Sequence, residues 1–393
     1  MIEPETDFAG TLLPDEPLLP GAAFHELLAD LRARYRLAPT RFMGIDMPLI
    51  TRFADLDAAF RDDEGFPAGP TYEHSIEPCQ GVTFESRDGP EHHVLRDLST
   101  RSLRARPVAR YAAARIPDLA HQAIDRFVER GSADLVADFT SVFPFLVFAD
   151  RLGLPLEGHE RFMPWAFDIL GYAGDHATGL AAAAELTAFV EPILAERRGD
   201  PADDLLSSMV TATKDDRRLD DEEILSTVRA LFAAGAATSH HGLGNTLYAL
   251  LTHPQVVDRL RDDPTAIPRA VEEMLRWEPP IGVLPRLVPF DVELAGQTVA
   301  AGSMVLMGIA SANRDDAMYP DPHRFDIDRP PGRLLTFGFG SHYCPGSHLA
   351  RAQIAMGVQA LLERLPDLRL VDVEASRPCG TVMRGPRSLP VEF

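Results

Sequence analysis

The stretch FGFGSHYCPG, residues 337–346, places a cysteine, a histidine and three glycines within ten residues of a chain that has only three cysteines. A cysteine just ahead of a helix lies in the field of the helix's unpaired N–H groups, which favours the thiolate, the form that binds metals. Gly338, Gly340 and Gly346 allow the backbone to turn tightly and to approach a flat ligand. Zinc is a poor match, because His342 and Cys344 supply two ligands and no second pair follows. An arbitrary cysteine is most often buried packing. The residues around Cys344 overturn that expectation.

The pattern Phe-Gly-x-Gly-x-His-x-Cys-x-Gly resembles the cysteine loop of the cytochrome P450 superfamily, the haem-thiolate enzymes, and every specified position is filled. The resemblance runs from about residue 88 to the C-terminus. It implies a mainly α fold with small β-sheets, one domain over residues 1–393, with haem b (iron protoporphyrin IX) between a long central helix and the cysteine-loop helix. By the same resemblance Cys344 is the axial iron ligand, Phe337, Gly338 and Gly346 shape the loop against the haem, and His342 reaches a propionate.

Three further segments carry the likeness. In AVEEMLRWEPP, Glu273 and Arg276 form an i, i+3 pair on one helix face, and Arg324 in PHRF is expected to complete a buried charge network beneath the loop. In DGPEHHVLRDL, His92 and Arg96 stand one turn apart and are expected to bind propionates through charge-assisted hydrogen bonds; His93 is the rival histidine. Arg286, in IGVLPRLV, is a further propionate partner by resemblance.

The segment AGAATS, residues 234–239, resembles the oxygen-activating part of the family's long helix. Ala234 and Gly235 leave room over the haem, and Thr238 fits the hydroxyl that holds the waters beside bound O2. Ala237 stands where the family has Asp or Glu, so the acid that relays protons is missing. General acid–base help is typically worth ~10²–10⁴-fold, so Ser239, His240 or ordered water is expected to substitute. The same departure keeps two other reactions open on this fold, nitric oxide reduction and peroxide-driven oxidation. A haem sensor without catalytic activity is a third reading, and it calls for an output domain that the sequence does not display.

The elements that position these residues are mostly helical. Asp220–Leu251 reads as one helix of about 32 residues, roughly 48 Å long, capped by Asp220 with Glu223 three residues on. A shorter helix is expected from about Pro268 to Glu278, stopped by Pro279-Pro280. Residues 292–310 switch to a β pattern with glycine turns. After Cys344, Leu349, Ile354, Val358, Leu361 and Leu365 recur at helical spacing. By resemblance Val283, Leu284, Val382 and Met383 face an apolar substrate on the distal side of the haem.

The formal charge of −21 argues against nucleic acid as a partner. The acidic start MIEPETDFAG lacks the signature of a signal peptide, and no run of eighteen apolar residues occurs, which together read as a cytoplasmic chain with reduced thiols. Against that acidic background, RDLSTRSLRARPVARYAAAR (96–115) carries six arginines. Arg101, Arg104, Arg106 and Arg110 are expected to dock an acidic ferredoxin, supplied by a ferredoxin reductase. The expected reaction is monooxygenation of an apolar small molecule (terpenoid, steroid, fatty acyl or aromatic natural product) by O2.

Overall fold

The computed structural model describes residues 21–393 together with the short strand Thr6–Phe8. The acidic N-terminal stretch lies largely outside the described residues. The helices that matter here are α1 (Ala22–Arg34), α2 (Gly89–Thr100), α3 (Ala105–Asp125), α4 (Phe143–Leu152), α5 (Met163–Leu170), α6 (His176–Gly199), α7 (Asp221–Leu251), α8 (Ile267–Trp277) and α9 (Ser347–Arg364). A four-stranded sheet places β1 (Leu37–Ala38) beside β2 (Leu49–Ile50), then β4 (Met304–Met307), then β3 (Leu284–Leu287) at its edge.

Helix α7 spans the molecule and is buried along almost its whole length. Its capping box forms as the sequence predicts. Asp220 Oδ1 accepts from the Glu223 N–H at 2.8 Å, and Glu223 Oε2 accepts from the Asp220 N–H at 3.0 Å. Both donors are thereby satisfied at a helix start that would otherwise leave them open. Around α7 pack α4, α5 and α9, with α3 against α4 and α9, and the space is filled by Phe143, Phe145, Phe232, Ile354 and Leu361. Phe139 and Phe143 stack at 5.1 Å. Each such fully buried ring contributes about 1.5–3 kcal/mol through its removal from water.

The shorter predicted helix forms at Ile267–Trp277, with Glu278 as its C-cap. The expected β stretch is divided. Val292–Leu294 and Gln297–Val299 make a separate hairpin, β4 joins the larger sheet, and Ile309–Ala312 is a helical turn. The turn arises because Gly308 lies against β2, where a Cβ would sit 2.3 Å from the Ile50 carbonyl oxygen. Among the described residues α6 alone is long and apolar enough to cross a membrane. Its Ala182, Leu186, Val190 and Leu194 are buried within the main core cluster, which accounts for that composition.

Candidate active site

The cysteine loop is built by two glycines and a backbone clasp. Gly338 and Gly340 have φ of 67° and 78°, the left-handed region that β-carbon-bearing residues avoid. At Gly340 a Cβ would also meet the Phe60 carbonyl oxygen at 2.3 Å. The Cys344 N–H donates to the Phe337 carbonyl at 2.9 Å, closing the loop just before α9 begins. Gly346 differs from the expectation. Its φ is −81°, open to any residue, and its missing side chain instead keeps space near the sulfur, since a Cβ would lie 3.8 Å from Cys344 Sγ.

Burial dominates the sulfur. It pushes the Cys344 thiol up to about 11, with Glu85 adding to the rise, while the Gly346 N–H, Arg96 and Arg351 pull the other way. The helix N-terminus therefore does not by itself make a thiolate here; a bound cation does that outright. Arg96 is fixed beside the sulfur by donating to the Tyr343 carbonyl. A cleft of about 460 Å³ opens on this side, lined among others by Arg96, Arg104, Lys214, Cys344 and His348.

His92 rather than His93 turns inward, being fully buried while its neighbour is exposed. Its Nδ1 lies 2.7 Å from the Phe84 carbonyl oxygen, and its ring sits 3.9 Å, centroid to centroid, from that of His342. The Nε2 of His342 is held by Asp88 at 2.9 Å, which leaves Nδ1 alone for a propionate. Burial pushes the Asp88 carboxyl up, but His342 and the N–H groups of Gly69 and Ala68 outweigh it and hold the group below its ordinary value. Arg286, on β3, is buried against Tyr72 with Nη1 unpartnered among the described residues. Glu85, missed in the sequence, carries a carboxyl that burial raises to about 7 against the pull of Arg96 and Arg286.

On α7, Ala234, Gly235 and Thr238 are the half-exposed residues of an otherwise buried segment. The Thr238 hydroxyl donates to the Ala234 carbonyl at 2.7 Å. Gly235 is also a close-packing glycine, since a Cβ would sit 2.7 Å from the Phe148 ring of α4. Ala237 is fully buried. The two expected stand-ins for its acid are occupied elsewhere. Gln353 of α9 donates to Ser239 Oγ, and His240 Nδ1 lies 2.9 Å from the Thr140 hydroxyl. Burial lowers His240 to about 4.

Two groups of expectations need correction. Arg324 does not complete the charge network: its side chain is 67% exposed and approaches Asp326, at 3.9 Å, rather than Glu273. Arg329 takes that place, with Nε 3.2 Å from Glu273 Oε1, while Arg276 makes two bonds to the same carboxylate. The chain turns between the two arginines so that Arg324 offers its carbonyl, which accepts from both Arg276 and Arg329. Val283 and Val382 are buried and pack with Phe24 and Leu28, and Met383 is buried as well. Side chains alternate along β3, so Leu284 shares the side of Arg286 and Val283 faces away. Leu284 is half-buried, as is Ile281, whose backbone pairs with that of Met383.

The arginine island is largely neutralised. Arg101 and Arg104 share Asp97, and Arg110 pairs with Asp203 at 3.1 Å. Arg106 is exposed and has no ion pair among the described residues.

These residues fit haem: one buried sulfur with glycine space around it, the orphaned Nη1 of Arg286 and the open Nδ1 of His342 for propionates, and a small-residue helix face; His92 faces the same place with Nε2 3.2 Å from the Ser341 carbonyl oxygen. The family model described as Cytochrome P450 matches residues 181–269 and 265–366. The chain is 36% identical to the mycinamicin IV hydroxylase/epoxidase of Micromonospora griseorubida, over 88% of this chain and 90% of that protein. It is 32% identical to a steroid C26-monooxygenase of Mycobacterium tuberculosis, over 85% and 96% respectively. A solved cytochrome P450 from Chondromyces apiculatus superposes with a TM-score of 0.88 at 31% identity, covering 98% of both chains.

Proposed function

This chain belongs to the cytochrome P450 family and is a haem monooxygenase, and from that we propose that it oxygenates an apolar small molecule of the steroid class, using electrons from a ferredoxin. The observation that carries the chemistry is the Thr238 hydroxyl on the half-exposed face of α7, with only Ala234 and Gly235 beside it. Haem, when bound, supplies the iron at which O2 is reduced and one oxygen atom is passed to carbon.

The chain's own residues do the rest. Cys344 would hold the iron as a thiolate, a form that the buried thiol resists without a cation. Arg96 and Arg286 would hold the propionates through charge-assisted bonds that burial strengthens, and His92 would join them by giving up its Nε2 contact with the Ser341 carbonyl. Thr238 already donates its proton to Ala234, so its oxygen is free to accept from water or from a protonated partner. Ile281, Leu284 and Met383 offer apolar surface that excludes water from the substrate side. Glu85 lies close to Arg96 and Arg286, and its raised value keeps charge down where the propionates would settle.

The steroid class is supported by the 32% identical steroid C26-monooxygenase. Electron delivery is proposed at the cleft beside Cys344, where Arg96, Lys214 and His348 meet, with Arg106 as the unpaired cation on the adjoining helix. We place the enzyme in the cytoplasm as one domain, with electron donors as separate proteins.

The test titrates the holoenzyme with testosterone and with mycinamicin IV while following the Soret band. A steroid-induced shift, followed by hydroxylated steroid under ferredoxin and NADH, supports the reading; a shift with mycinamicin IV alone overturns the substrate class. Cys344→Ser should abolish the thiolate-type ferrous-carbonyl spectrum while Cys79→Ser and Cys379→Ser keep it. Retention of that spectrum in Cys344→Ser would overturn the site.

A further inference from the structure

The missing acid at residue 237 leaves a question that the structure answers on a different residue. Helical spacing places Ala234, Thr238, His241 and Asn245 on one stripe of α7, at intervals of four, three and four. Thr238 faces the half-exposed side. His241, one turn further, is 4% exposed, and both of its ring nitrogens lack a hydrogen-bond partner among the described residues. One more turn on, Asn245 spends its amide N–H groups on the Glu278 and Arg384 carbonyls, at 2.9 and 3.0 Å, while its Oδ1 is buried and unpartnered.

A histidine buried with neither nitrogen satisfied is costly, about 1–3 kcal/mol for each orphaned group. Native interiors satisfy such atoms with ordered water. The ring cannot simply rotate away. Gly385 packs on it so closely that a Cβ there would lie 2.5 Å from His241 Nδ1, and the His240 ring stands 4.6 Å off on the other side. His240 is tied to Thr140 and Ser239 to Gln353, so His241 is the histidine of this pair whose nitrogens are open.

We propose that His241 is the proton-relay residue of this enzyme, passing protons through ordered water between Asn245 and the Thr238 hydroxyl in place of the absent carboxylate. Residues three apart on a helix have Cβ atoms about 5–6 Å apart, near enough for ordered water to link their side chains. The reaction consumes O2, substrate R–H, two electrons and two protons, and yields R–OH and water. The electrons come from the ferredoxin. For each proton, His241 accepts at its open acceptor nitrogen from ordered water on the Asn245 side and releases that same proton to the water leading to Thr238, so the ring returns to its starting neutral tautomer. Burial and the neighbouring His240 hold that ring neutral at rest, with one donor and one acceptor in place.

This inference rests on the monooxygenase reading, and the experiment separates the two. Ferredoxin-driven NADH oxidation and O2 uptake are measured in H2O and D2O for holoenzyme, without substrate and with testosterone, beside peroxide-driven oxidation of guaiacol. His241→Leu should slow NADH oxidation by about 10²-fold, the low end of acid–base contributions, and raise the solvent isotope effect. The guaiacol rate should stay within about twofold, because peroxide brings its own protons. His241→Gln keeps hydrogen-bonding capacity but cannot carry the proton, so it should fold normally and remain slow. Wild-type rate and isotope effect in His241→Gln would overturn the relay and leave a packing role, and so would equal losses in the ferredoxin and peroxide reactions. If wild type takes up no O2 under ferredoxin and NADH, the monooxygenase reading itself falls, and the relay falls with it.

Discussion

Replacing Arg329 by Ala should destabilise the protein far more than replacing Arg324, although the sequence singles out Arg324. The Arg329 side chain is 12% exposed and reaches Glu273 at 3.2 Å. It also donates to the carbonyls of Pro320, Asp321 and Arg324 at 2.5, 3.0 and 3.2 Å. Removing one partner of a buried pair costs about 3–5 kcal/mol. Glu273 keeps both of its bonds to Arg276, which lowers the expected loss to about 2–4 kcal/mol. Arg324 is 67% exposed, so its side chain is worth no more than about 0.5 kcal/mol. With an unfolding entropy of about 2.1 cal/mol/K per residue, the 393-residue chain should lose roughly 2–5 °C in Arg329→Ala and under about 1 °C in Arg324→Ala. Near-ultraviolet circular dichroism of the holoproteins reads both, and haem transfer to apomyoglobin should quicken only in Arg329→Ala. An equal or larger loss in Arg324→Ala would refute the assignment.

Two other outcomes follow from the geometry. Gly235→Ala forces a Cβ to within 2.7 Å of the Phe148 ring, and overpacking against a rigid ring should cost about 1–3 kcal/mol in urea unfolding; a neutral result would mean that α4 yields freely. Burial, with Arg314 beside it, lowers His25 to about 3, while Arg384, His25 and Arg314 overcome burial and bring Glu278 to about 2. The unfolded chain therefore takes up a proton on His25 below about pH 6.5 that the folded chain refuses until about 3. Stability from this group should fall as pH drops through that window, by about 1.4 kcal/mol per unit, and Glu278 adds a loss in the same direction below about 4.5. His25→Gln should flatten the pH 6.5–4.5 part of the curve measured by urea unfolding, and an unchanged slope there would show that His25 is already protonated in the fold.

What was legible in the sequence was local. The cysteine loop and the Asp220–Glu223 capping box each depend on residues within a few positions of one another. What was not legible depends on contacts between distant segments. Glu278 is bound by His25 and Arg384, 253 and 106 residues away, and no spacing rule joins them. Arg329 and Arg324 are both plausible partners for Glu273 until the chain turns between them. Which side chains of β3 share a face depends on its pairing with β4, where Arg286 lies opposite Val305, because a shift of one residue reverses every side chain. The arginine island looked strongly basic because Asp203, the partner of Arg110, comes 93 residues later.

The same contrast decides what an acid restored at residue 237 should do. From the sequence alone, Ala237→Asp reinstates the family pattern and should speed proton delivery. In the fold Ala237 is fully buried, so a carboxylate placed there loses its water, and its pKa rises unless a partner is found. Burying it unpaired costs about 1–3 kcal/mol. If protons already reach Thr238 through His241, the single variant should leave ferredoxin-driven NADH oxidation within about twofold of wild type while lowering stability. The informative comparison is with His241→Leu. In that background Ala237→Asp should recover part of the roughly 10²-fold loss, because the acid then has a deficit to fill. A large gain from Ala237→Asp alone would show that wild type lacks an efficient relay and that His241 carries no protons. No gain in either background, with the thiolate spectrum intact, would mean that residue 237 lies off the proton path in this enzyme.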